Sequence, residues 1–128
     1  MSLPQEQHLK GPINCVFWDN PELVEDPIET RFLVLNTFND ESHFWRYLLK
    51  CKECGQLYFF EFNEHINWSG EGDGNDYQYS TWIPISQPQD AQSLNERSIL
   101  ELVDPTLIPR IQSDLTPDRK TIAHWVGK

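Results

Sequence analysis

Hydrophobic positions crowd most densely between His43 and Phe62, where two apolar runs flank a short polar turn. In the first run Trp45, Tyr47, Leu49 and Cys51 alternate with Phe44, Arg46, Leu48 and Lys50, the two-residue period of a strand. In the second, Leu57-Tyr58-Phe59-Phe60-Glu61-Phe62, apolar side chains fall on both faces. Such a run belongs in the middle of a sheet protected on both sides. The pair predicts a central hairpin over about 43–63. A further strand is expected over about 77–84, with Pro84 marking its end or an edge position. Weaker strand patterns lie at Ile13–Trp18, which stops at Asp19-Asn20-Pro21, and at Arg31–Leu35. The acidic segment between them, 22–30, reads as an exposed connection, and 36–42 as the break after the second strand.

The pattern changes after residue 85. Ser86-Gln87-Pro88-Gln89 has the form of a capping box with proline in the first turn. Ala91, Leu94, Ile99, Leu102 and Val103 then fit helical spacing over about 88–102. Asp104-Pro105 and Ile108-Pro109 end that segment, and Lys120–Gly127 reads as a short closing strand. Strands followed by one C-terminal helix predict an α+β fold, a mainly antiparallel sheet with the helix packed on it. The 128 residues fit a single domain, 1–128, with residues 1–12 a loose N-terminal arm.

Charge narrows the function. Twenty acidic against ten basic residues leave a net charge of −10. That disfavours nucleic acid and anionic membranes, which reward Lys and Arg, and suits a basic protein partner. The N-terminus lacks the pattern of a secretory signal, and no apolar run approaches membrane-spanning length. With three cysteines, an odd number, this argues for a reducing, cytoplasmic setting. The first functional expectation is therefore a small acidic interaction protein of the inhibitor or immunity type, masking a basic partner. Its binding surface would be the Gly- and acid-rich loop: Trp68, Tyr77 and Tyr79 as aromatic anchors, with Glu71, Asp73 and Asp76 steering encounter.

Cys51-Lys52-Glu53-Cys54-Gly55 carries the second expectation. After Cys54 the chain continues as a strand, so no helix N-terminus stabilises a thiolate, which disfavours thiol–disulfide chemistry. A Cys-x-x-Cys-Gly turn between two strands resembles a zinc-ribbon knuckle, in which glycine permits a positive φ. A structural zinc site needs four ligands, and a second pair is missing. His43 stands eight residues before Cys51, roughly 26 Å along an extended strand, too far to ligate. His65 is similarly placed beyond Cys54. Cys15 and His124 are not restrained by chain distance and complete the candidate set with Cys51 and Cys54; the cofactor is zinc or none.

The third expectation is an enzyme using Glu61, Glu64 or His65. No triad order, phosphate loop or metalloprotease motif is present. Glu61, within an apolar strand, would have a raised pKa if buried; otherwise it would mark the solvent side or meet Arg46 across the hairpin.

Overall fold

A computed structural model describes residues 7–65, 77–97, 107–115 and 120–128, without the side chains of Gln7, His8, His65 and Tyr77. Its centre is a six-stranded antiparallel sheet in the order β2-β3-β4-β5-β7-β8. The strands are β2 (Phe32–Asp40), β3 (Phe44–Cys51), β4 (Leu57–His65), β5 (Tyr77–Ile85), β7 (Arg110–Leu115) and β8 (His124–Val126). A separate parallel pair joins β1 (Gln7–His8) to β6 (Leu107–Ile108). The fold is mixed α+β and mostly sheet.

The expected hairpin is β3–β4, with Lys50 opposite Leu57 and Phe44 opposite Asn63. Its two apolar faces are both used. Cys51, Leu49, Tyr58 and Phe60 join Trp82 and Ile111 in one buried cluster, while Leu48, Phe59, Ile83 and Ile85 join Ala91, Leu94 and Leu107 in the other. β4 is thus covered on both sides, which is why its sequence does not alternate. Pro84 lies inside β5, whose ladder with β7 runs from Gln78 to Trp82. Among the described residues Pro84 is paired only with Tyr58 of β4, so the proline sits at a local edge.

The first face is covered by N-terminal turns that the pattern did not foretell. Ile13–Trp18, expected as a strand, is a turn leading into α1 (Val16–Asp19). Tight backbone bonds set it: Cys15 N–H to Pro12 O at 2.8 Å, and Trp18 N–H to Cys15 O at 2.9 Å. A strand would put Phe17 and Trp18 on opposite faces, one of them in water. The turn lets Phe17 stack on Phe32 at 5.0 Å while Trp18 meets Trp125 at 4.9 Å. The acidic segment 22–30 is likewise folded, as a 3₁₀ turn (Pro21–Glu25) that buries Val24, and α2 (Ile28–Arg31). β2 runs past its expected stop at residue 35 to Asp40, through irregularities at Val34/Asn36 and Thr37/Asn39.

The second face carries α3, which spans Pro88–Asn95 rather than 88–102. Its cap is Gln87, paired reciprocally with Asp90, one position later than the Ser86/Gln89 box expected from the sequence. Residues 98–106, the remainder of the expected helix, lie outside the described set. The closing segment includes β8, as expected.

Candidate metal centre

The β3–β4 turn presents two cysteines in different ways. Cys51 ends β3 on the first face and is buried there, and Cys54 projects from the turn and is exposed. The turn is closed by Cys51 N–H to Gln56 O at 2.8 Å and Gly55 N–H to Cys51 O at 2.9 Å. Gly55 has φ +80°, the left-handed conformation expected of the glycine in a knuckle. Cys15 arrives from far along the chain. The turn before α1 sets it over the same end of the first face, where it is buried.

The three sulfurs lie within 4.8 Å of one another. Around a tetrahedral zinc with Zn–S bonds of about 2.3 Å, sulfurs stand about 3.8 Å apart, so each need move by less than ~1 Å. The donor set is soft and suits Zn²⁺. Among the described residues, no fourth His, Cys, Asp or Glu joins this group.

Tyr58 supports the cluster from below. Fully buried in β4, its hydroxyl donates to Cys15 Sγ at 3.2 Å. Burial pushes the Tyr58 hydroxyl well above its ordinary pKa, and its bond to Cys15 adds to the effect, so it remains a donor. Burial also pushes the Cys15 thiol up to about 12, against the lowering effect of the Tyr58 bond. Without a cation Cys15 therefore keeps its proton, and a metal would have to displace it. Tyr58 was legible only as core. Its role follows from the register, in which Leu49 opposite Tyr58 puts the ring on the face that carries Cys51.

A cleft of about 640 Å³ opens beside the cluster and is lined in part by Cys15, Cys54, Gly55 and Gln56. Lys10 and Lys50 stand in its wall. No Asp or Glu does so among the described residues, although the chain carries twenty acids.

The other expected residues lie elsewhere. His124, in β8, is exposed; its Nδ1 is 2.8 Å from Ile122 O, and it is not part of the sulfur cluster. His43 Nδ1 meets Glu64 Oε1 at 2.7 Å. Bonds from Gln78 and from His43 hold the Glu64 carboxyl below its usual range. Glu61 is buried and accepts from Arg46 Nε at 3.0 Å, as the cross-hairpin alternative anticipated. Its burial outweighs the attraction of Arg46 and raises it to about 7. Alternation places Glu61 and Glu64 on opposite faces of β4, so they do not form a catalytic pair. Tyr79 lies half-buried in β5 opposite Asn63, and Tyr77 begins the same strand. Trp68, Glu71, Asp73 and Asp76 lie outside the described residues.

No family model, curated protein or solved structure matches the chain. Among the described residues no helix is long and apolar enough to cross a membrane.

Proposed function

We propose that the chain is a zinc-binding module whose ligands are Cys15, Cys51 and Cys54. The convergence of all three of its cysteines within 4.8 Å, from two distant segments, carries this reading. The positive φ of Gly55 and the Tyr58 hydroxyl aimed at Cys15 support it, because zinc sites orient their ligands through such outer hydrogen bonds. The ion would fasten the N-terminal turns to the hairpin. Metal analysis of protein purified without chelator tests the proposal. Close to one zinc per chain is expected, lost in Cys51→Ser. A content below ~0.2 per chain, with stability unchanged by that substitution, overturns it.

A second reading, a module that docks on another protein, draws on one observation. Edge strand β2 has no described partner on its outer side, and its Leu33, Val34 and Leu35 are each about half exposed. From Phe32 to Asn39 it carries no charge, so it lacks the lysines that guard many edges and could accept an added strand. Leu33→Lys with Leu35→Lys should abolish any complex that the native chain forms in its host; an unaltered complex overturns this reading.

A further inference from the structure

Among the described residues, three thiolates would leave one position of a tetrahedral zinc ion without a protein ligand, and the exposed Cys54 places the cluster at the wall of the 640 Å³ cleft. We infer that the cleft binds a small thiol carrying a carboxylate, with the thiolate as fourth metal ligand and the carboxylate against Lys50 and Lys10. The inference rests on the zinc reading above.

Three observations converge on this ligand class. The first is softness. A centre already bound by three sulfurs favours a fourth soft donor, and an S₄ set is a preferred zinc environment. The second is charge. Zn²⁺ with three thiolates carries −1, and a fourth thiolate makes it −2. In a chain of net charge −10 a second anion needs local compensation. The cleft supplies it, because its described lining holds two lysines and no carboxylate. Lys50 also lies close to the knuckle: its Cε is 3.5 Å from where a side-chain carbon on Gly55 would stand. No ion pair or hydrogen bond with a described residue engages Lys10 or Lys50. Among the described residues, then, no carboxylate neutralises their ammonium groups. The third is size. At about 640 Å³ the cleft lies within the ~300–1,000 Å³ typical of small-molecule sites and far exceeds what one water needs.

The exchange balances simply. The incoming thiol gives its proton to solvent, its sulfur forms the fourth metal bond, and the water it displaces leaves. No electron is transferred.

The test uses the full chain loaded with Co²⁺, whose sulfur-to-metal charge-transfer absorption reports the number of thiolates bound. 3-Mercaptopropionate, 2-mercaptoethanol and propionate are titrated in parallel. The charge-transfer band should grow with both thiols, as four thiolates replace three, and 3-mercaptopropionate should bind more tightly. Propionate alone should leave the band unchanged. Lys50→Gln and Lys10→Gln should load cobalt normally yet each weaken 3-mercaptopropionate about three- to fivefold, the scale of an exposed ion pair, without affecting 2-mercaptoethanol. Normal cobalt loading with no response to either thiol overturns the inference and leaves the zinc reading intact. So does equal affinity for both thiols, or tighter binding of propionate. A failure to load cobalt at all overturns both.

Discussion

Arg46 and Glu61 face each other across the β3–β4 hairpin, with Nε and Oε1 3.0 Å apart and the side chains 5% and 2% exposed. The same guanidinium donates to the backbone oxygens of Asn95, at 2.9 Å, and Arg97, at 2.8 Å. It thus holds the end of α3 against the sheet while compensating a buried carboxyl. Removing one partner strands the other in low dielectric, at a cost of about 3–5 kcal/mol. Arg46→Met should fall in that range, whereas Arg46→Met with Glu61→Leu should recover the part due to the stranded carboxyl but not the two bonds to the end of α3. Urea unfolding of the single and double variants checks this.

Glu61 should also leave a signature in the pH dependence of stability. Burial raises its carboxyl from 4.5 to about 7 in the fold, so between those values the folded chain holds a proton that the unfolded chain has lost. The contribution is therefore complete below about pH 4.5 and disappears as pH rises through about 7. Its size is on the order of 3 kcal/mol. Glu61→Gln should remove this decline, so the stability difference between variant and native chain should shift in the variant's favour as pH rises. A difference that stays flat from pH 4.5 to 8 would show that Glu61 is ionised throughout.

Tyr58→Phe should separate fold from metal. The substitution deletes one buried hydroxyl, worth about 1 kcal/mol of stability. It also removes the donor to Cys15 Sγ, and outer-shell losses of this kind weaken metal binding about 10- to 100-fold. Competition with a chromophoric chelator measures the affinity. Unchanged zinc affinity would mean that the hydroxyl is only a packing detail.

Gly55→Ala tests the turn. The nearest atom to a new side-chain carbon is Lys50 Cε at 3.5 Å, so there is room, and the cost comes from φ +80° alone. Destabilisation of about 1–2 kcal/mol is expected, with weaker zinc binding because Cys54 precedes the strained residue. Thermal unfolding with and without metal reads both effects.

The hairpin was legible because its physics is local. Leu57–Phe62 shows two apolar faces whatever surrounds it, and Gly55 after Cys54 announces a left-handed turn. β7 was not legible. Arg110 and Gln112 are polar yet buried, their groups bonded to one another at 3.3 Å, so the strand has no apolar alternation to detect. Val16-Phe17-Trp18 misleads in the opposite sense: its residue types favour a strand, and tertiary packing against Phe32 and Trp125 overrides them. Cys15 and His124 stood equal as distant ligands by chain position. Only the folded turn before α1 brings Cys15 to the knuckle, while β8 leaves His124 in solvent beside Ile122.

Cys15 and Cys51 also lie far apart in sequence, with α1, α2, β2 and most of β3 strung between them. An ion gripped by both would act on chain topology as a disulfide does, shrinking the unfolded ensemble by closing a long loop. Unlike a disulfide, that closure would follow the free metal concentration. A cell scarce in zinc would hold a chain with a looser N-terminal clasp, and one replete in zinc a chain drawn shut.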